Sequence, residues 1–439
     1  MSEKFTKEDV IPIGITNWRN AHQQFGIKAK DRLQHIYVIG KTGVGKSTLL
    51  QNMAIADIEQ GNGIAIIDPH GDLADSILNY IPVSRFHDVI YFNATDTDYP
   101  IGFNPLYNVL DNEKHLVASI LISTFKKIWS ESWGPRLEYI LRNCLLTLLQ
   151  SNKPVTLLDI QPLLVHKEYR QQILYSISDK QLLSFWYDEY DKYPVALRSE
   201  AIAPILNKVG VFSSNVILRN IIGQTESTIN LQSILNEKKI LICNFSKGLL
   251  GEDVSSLLGS MLVSAIHFTA LQRAELTPEQ RHPFYLYIDE MHSFISLSFA
   301  DILSEARKYG LSLFLTHQYL EQISEEIRVA IFGNVGTIIS FRVGAEDAAY
   351  LAKEFYPTFS QSDFINLPPY TMYLKLMIDG VTSKPFSAKT MSLISSTHSF
   401  KKEIINISQQ IYARKWNDDD TFNGNYKECE NEVTLFNNN

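Results

Sequence analysis

The sequence predicts an α/β fold in which a doubly wound, mostly parallel sheet is interrupted by an all-helical insertion. Three observations lead there. Short apolar runs ending in turn residues recur along the chain, helical patterns follow several of them, and a long central block shows helical periodicity with few strand signals.

The apolar runs lie at 36–39, 64–67, 89–92, 240–244, 285–288, 311–315 and 337–341. Strands covered on both faces are apolar throughout, so these read as buried parallel strands. Helices are expected at 47–60 after the first run, 255–272 after the fourth and 299–309 after the fifth. A late strand at 373–379 is expected to close the sheet. The insertion spans 110–235, with helices at 116–129, 136–150 and 181–190. The chain then divides into an N-terminal extension (1–30), two parts of one α/β domain (31–109 and 236–400) around the insertion, and a C-terminal helix with a tail (401–439). Beyond about Lys415 the sequence is Asn- and acid-rich and poor in apolar residues, which predicts disorder.

The 439 residues suffice for a sizeable core, and 45% hydrophobic with 20% charged residues is the balance of a soluble globular protein. A net charge of −8 argues against a surface that is basic all over. It leaves nucleic acid open, because positive charge need line only a channel. Cys144, Cys243 and Cys429 match no metal or redox spacing, so a reducing, cytoplasmic setting is expected. The charged N-terminus lacks the apolar run of a signal peptide. The longest apolar stretches, 141–149 and 257–271, read as too short to span a bilayer, so no transmembrane segment is expected and membrane association would need a partner.

Gly40-Lys41-Thr42-Gly43-Val44-Gly45-Lys46-Ser47 fits G-x-x-x-x-G-K-[ST], between a predicted strand and a predicted helix. Glycines let the backbone turn its N–H groups toward phosphates, and the helix N-terminus adds a positive dipole end. Lys46 is expected on the β- and γ-phosphates of ATP, Ser47 on Mg²⁺, and Thr48 completes the binding set. Asp289 and Glu290 end an apolar strand; Asp289 is expected in the Mg²⁺ shell, and Glu290 is expected to take a proton from the attacking water. Gln318, at the tip of the next strand, is the candidate γ-phosphate sensor, against a plain polar exit from a strand. Asp68 either faces the same crevice or shapes an Asx-Pro turn. Arg307 and Arg342 are candidates for stabilising transition-state charge, against surface salt-bridge roles. His70, His292 and His317 show no metal-binding spacing and read as ordinary polar residues.

These segments, HIYVIGKTGVGKSTLL (35–50), IDPHGDL (67–73), FYLYIDEMHSF (284–294), ILSEARKYGLSLFLTHQ (302–318) and GNVGTIISFRVGAEDA (333–348), together resemble the HerA/FtsK superfamily of ring translocases. Within it they look most like the TraG/TraD-type coupling ATPases of conjugation and type IV secretion and their soluble HerA-like relatives. The resemblance implies a RecA-like motor domain, a homohexamer, and ATP-driven movement of DNA through a central channel without reading its sequence. It also implies that Arg307 acts across a subunit interface, that Arg342 falls where HerA-like proteins carry an arginine, and that secretion, conjugation or effector proteins are partners. No N-terminal anchor or β-barrel is expected, which leaves a soluble, reduced motor. Lys126, Lys127 and Arg136 are candidates for gripping DNA, against a solvated helix face. The competing reading is a nucleotide-gated scaffold that docks an effector, such as a nuclease in a defence system. No LSGGQ-like run or NKxD supports an ABC-type or GTP-binding switch.

Overall fold

The computed structural model describes residues 10–17, 22–295, 299–393 and 399–415. The tail expected to be disordered lies outside the described residues. Among the described residues thirteen strands form: β1 Val10–Thr16, β2 Gln24–Lys28, β3 Ile36–Ile39, β4 Gly63–Asp68, β5 Val89–Asn93, β6 Ile240–Asn244, β7 Phe284–Ile288, β8 Leu311–His317, β9 Thr337–Ser340, β10 Thr371–Lys375, β11 Met377–Ile378, β12 Val381–Thr382 and β13 Phe386–Thr390. Eleven make one sheet in the order β2-β1-β13-β10-β9-β3-β8-β7-β4-β6-β5. All seven predicted apolar runs are strands, and they pair in parallel from β9 through β5.

The other edge differs from expectation. Residues 1–30, expected as an extension outside the motor domain, contribute β1 and β2, which extend the sheet antiparallel beyond β13 and β10. These strands carry weaker signals because an antiparallel edge has one solvated face and tolerates proline at a bulge. β1 shifts register between Pro12 and Gly14. The single strand expected at 373–379 also breaks: β10 ends at Lys375, and β11 pairs with β12 in a separate hairpin.

Alternate residues of the parallel strands face two cores. Tyr37, Ile67, Phe92, Cys243, Ile288 and Leu315 point into the core shared with the helical block and the helix Glu252–Gln272. Val38, Ile66, Tyr91, Ile242, Tyr287 and Phe314 point to the opposite core with the helix Lys46–Glu59 and Ile404. The helical block is therefore continuous with one face of the sheet. At the β5 edge, Ser408 of the helix Lys401–Tyr412 accepts a hydrogen bond from the Tyr91 amide at 2.8 Å, which blunts an otherwise unpaired edge.

The apolar stretch 257–271, expected to be too short for a bilayer, belongs to a helical run Glu252–Glu275 of 24 residues, long and apolar enough to cross one by length and composition. Of its most apolar window 78% is buried inside the fold, so it is the core helix beneath the sheet. The helix expected at 299–309 ends at Glu305 and tightens into a 3₁₀ turn over Ala306–Tyr309.

One buried polar network holds the P-loop helix to the sheet. Arg32 donates two hydrogen bonds of 2.7 Å to Asp57 near the end of the helix Lys46–Glu59, and Tyr287 of β7 also donates to Asp57. The Arg32 guanidinium lies 3.7 Å over the Tyr285 ring. Burial alone would pull the Arg32 pKa down, but the charge and hydrogen bonds of Asp57 together with Tyr287 and Tyr285 outweigh it and raise it. Removing one partner strands the other charge in the core. Asp57→Ala is accordingly expected to destabilise by about 3–5 kcal/mol, read by urea unfolding. An unchanged midpoint would remove this network from the account.

Candidate nucleotide-binding and hydrolysis site

β3 delivers the phosphate loop at its C-terminal end. Gly43 and Gly45 adopt φ of +76° and +120°, values a side chain disfavours. A Cβ on Gly45 would lie 3.1 Å from Tyr370 and 3.2 Å from Phe341, so side chains wall the loop from behind. The helix begins at Lys46, leaving Ser47 exposed in its first turn, where unpaired N–H groups face outward. Lys46 is buried and donates to the Gly40 and Lys41 carbonyls at 2.6 and 3.0 Å. Burial lowers its pKa, opposed by the charges of Asp289 and Glu290, so all three groups share one field.

β8 lies between β3 and β7, so its tip separates the loop from the acidic strand end. Asp289 and Glu290 directly follow β7 and are both buried. Asp289 accepts from the Thr316 hydroxyl of β8 and from the Glu290 amide at 3.1 Å. Burial raises the Asp289 pKa, aided by the charges of Asp68 and Glu290 and opposed by the Thr316 hydrogen bond and the charge of Lys46. A divalent cation fits this pairing of an enclosed carboxyl with an exposed serine hydroxyl. Ser47 and Asp289 are the residues that would hold it.

Glu290 is held differently. Its backbone is left-handed at φ +48°. Gln318 Nε2 donates to Glu290 Oε1 at 2.6 Å. His70 Nε2 lies 4.0 Å from the same oxygen, and His292 Nε2 lies 3.7 Å from the other. Burial would raise its pKa, but His70, Gln318 and the nearby histidine charge overcome that and hold it down at about 2. Glu290 is therefore held ionised, an acceptor beside a neutral amide.

A family profile described as "Helicase HerA, central domain" matches residues 19–266, more than half of the chain. The chain belongs to the HerA central-domain family. A second profile, "TraM recognition site of TraD and TraG", matches residues 283–355. Among solved structures, the bacterial conjugative coupling protein TrwB superposes with a TM-score of 0.62 at 15% identity, covering 88% of this chain and 90% of that chain. TrwB in complex with ADP and Mg²⁺ gives 0.61 at 16% identity, covering 88% and 91%. VirB4 of Thermoanaerobacter pseudethanolicus gives 0.59 at 13% identity, covering 89% and 98%. At such identities the likeness shows the fold, which is the RecA-like one of TrwB and VirB4. No curated protein matches the sequence. The chain is thus a member of the HerA/TraG-like NTPase family, related to the conjugative coupling proteins.

Within this HerA-family fold the remaining candidates separate. Both Asp68 oxygens are used locally, accepting from the His70 and Ala74 amides at 2.8 and 2.9 Å, so its carboxylate shapes the turn into the helix Asp72–Ile77. Its charge still reaches Asp289. Arg342 follows β9 at the loop's own edge, and its carbonyl accepts from the Lys41 amide at 2.9 Å. Arg307 is exposed and precedes β8 at the opposite edge. At about 3.3 Å per residue, β8 places it roughly 20–25 Å from its own phosphate loop. Arg307 cannot serve the site of its own chain.

Lys127, weighed as a channel residue, points inward instead and donates to the Ser293 carbonyl at 2.7 Å. Lys126 is exposed and pairs loosely with Glu138 at 3.9 Å, and Arg136 is exposed. His317 is buried beside Tyr37 Oη at 3.1 Å, and burial lowers its pKa to about 3, an ordinary core role. Three residues near the chemistry carried no sequence signal of their own. Thr316 lies on the strand whose tip suggested Gln318, so that strand's inward face could have pointed to it. His70 reaches Glu290 only through the packing of separate strand ends, and His292 through the tight turn that follows Glu290.

Proposed function

We propose that this chain is an ATP-hydrolysing, Mg²⁺-dependent ring motor that binds and moves DNA. The observation that carries the reading is the convergence of Lys46, Asp289, Glu290 and Gln318 at the C-terminal ends of three adjacent strands. Ligand crevices of open α/β sheets lie at such ends. Backbone N–H groups from Gly40 to Ser47, with Thr48 behind them, and Lys46 bind the triphosphate. Ser47 and Asp289 would hold Mg²⁺, which when bound neutralises charge on the phosphates. Glu290 takes the proton from the attacking water, and Gln318 holds that carboxylate while facing the γ-phosphate position.

The placement of Arg307 supports a homohexameric ring, since an arginine on the far edge can serve only a neighbour's site. Loss or gain of that contact with each hydrolysis would shift adjacent subunits. TraD and TraG carry a TraM recognition site in the region matched by residues 283–355, which supports a protein partner from a secretion or conjugation system here.

Two measurements test this. Mass in solution with and without ATP reads the ring, and ATPase rate with and without duplex or single-stranded DNA reads the motor. A ring whose slow turnover ignores DNA would instead support a scaffold that docks an effector such as a nuclease. Arg307→Ala is expected to lower turnover by about 10³-fold while ATP affinity holds. Mixing it with Lys46→Ala subunits, which supply an intact Arg307, should restore activity; no restoration would remove Arg307 from the interface role.

A further inference from the structure

The helix Lys114–Ile128 belongs to the helical block, yet its last turn reaches the site. Lys127 Nζ donates to the Ser293 carbonyl at 2.7 Å and lies 3.5 Å from the Ser260 hydroxyl of the core helix Glu252–Gln272. Ser293 closes the single 3₁₀ turn Met291–Ser293 directly after Glu290, and its amide donates to the Glu290 carbonyl at 2.9 Å. His292, inside that turn, has its Nε2 3.7 Å from Glu290 Oε2 and 3.3 Å from Gln322 Nε2.

The turn is also wedged from below. A Cβ on Gly259 would lie 2.2 Å from the Phe294 ring, so only glycine lets that ring seat against the core helix. Glu290 itself is held in a left-handed conformation that a non-glycine residue keeps only when its surroundings insist. Lys127 is only partly exposed, and burial lowers its pKa to about 7. Enclosing an amine is unfavourable unless its hydrogen bonds compensate, so the Ser293 contact is a specific one. On the other side of the same helical turn, Lys126 lines an open cleft with Trp133, Tyr139 and Arg142.

We propose that Lys127 is a positioning residue for Glu290, and that its bond to Ser293 couples the helical block to the water-activating carboxylate. The inference rests on the ATPase reading above. A ligand that shifts the last turn of Lys114–Ile128 pulls on the Ser293 carbonyl, and so on the turn that aims Glu290 and His292. The block thereby reports its occupancy to the chemistry without touching nucleotide.

The test compares Lys127→Met, which keeps the stem and loses the donor, with Lys127→Gln, which keeps an N–H donor. Lys127→Met is expected to lower kcat at least about 10-fold at unchanged KM for ATP, because a misplaced base costs rate and not binding. Its turnover should also no longer respond to a duplex DNA oligonucleotide. Lys127→Gln should stay within about threefold of the parent, since one donor to the carbonyl remains. Equal losses in both variants, in step with lowered melting temperature, would make the bond merely structural and overturn the proposal, as would a normal kcat in Lys127→Met. A parent protein that never hydrolyses ATP would sink the ATPase reading, not the coupling. In that case hydrogen exchange decides: Lys127→Met must speed exchange of the 291–295 amides, and unchanged exchange there overturns the coupling.

Discussion

Glu290→Gln is expected to bind ATP with parental affinity and to lose turnover by about 10²–10⁴-fold, the usual contribution of a general base. The substitution keeps size and shape, and Gln318 Nε2 can still donate to the remaining carbonyl oxygen, so the pocket should hold its form. What disappears is the ionised oxygen that accepts a proton. That oxygen is kept ionised against the effect of burial by His70 and Gln318. Asp289 next to it is pushed the other way by its deeper enclosure. The two adjacent acids sit in different surroundings because the chain leaves β7 at Ile288 and turns left-handed at Glu290. A fluorescent nucleotide titration beside a phosphate-release assay separates binding from turnover. Undiminished release in Glu290→Gln would take the base role away from this residue.

Lys46→Ala is expected to weaken ATP binding by about 100-fold or more, corresponding to loss of a charge-assisted contact of roughly 3 kcal/mol. The fold should survive, because the Lys46 ammonium bonds only to the Gly40 and Lys41 carbonyls of its own loop. Both carbonyls are spared an unsatisfied state in the variant if solvent reaches them, and Lys41 is exposed. Isothermal titration with ATP and Mg²⁺ measures the loss, and thermal unfolding in the same buffer checks the fold. Parental affinity in a folded Lys46→Ala protein would mean that the loop is not the triphosphate site. The mixing experiment with Arg307→Ala would then lose its meaning as well.

The parallel half of the sheet was readable before any coordinates. Each of its strands is buried on both faces, and burial on both faces writes an uninterrupted apolar run such as Ile36–Ile39 or Ile240–Asn244. The phosphate loop was readable because its geometry demands glycine at positive φ next to a lysine and a hydroxyl, a combination few other turns require. Asp289 and Glu290 stood out because carboxylates directly after five buried apolar residues are costly without a purpose.

The antiparallel edge was readable only at β10, where a late strand was expected. β1 and β13 are half solvated and carry Pro12, Gly14 and Lys389, so their alternation is blurred and their pairing is set by partners far away in the chain. Residue roles that depend on a neighbour's position were equally hidden. Asp68 could face the crevice or make a turn, and only the amides of His70 and Ala74 decided that its oxygens serve the turn. Lys127 looked like any lysine on a helix, and only the docking of the helical block on the core helix turned it toward Ser293.

The sequence by itself determined the residue pattern from which the nucleotide chemistry is proposed, since backbone conformation and local burial restrict which residue types can stand at a glycine-rich loop and a strand end. The tertiary structure alone decided which strand ends meet. It put β8 between the loop and the acids, sent Arg307 to the far edge, and brought His70 and Lys127 to the surroundings of Glu290. Those outcomes follow from the order in which strands enter a sheet and from contacts between residues far apart in the chain, which no local pattern of side chains encodes.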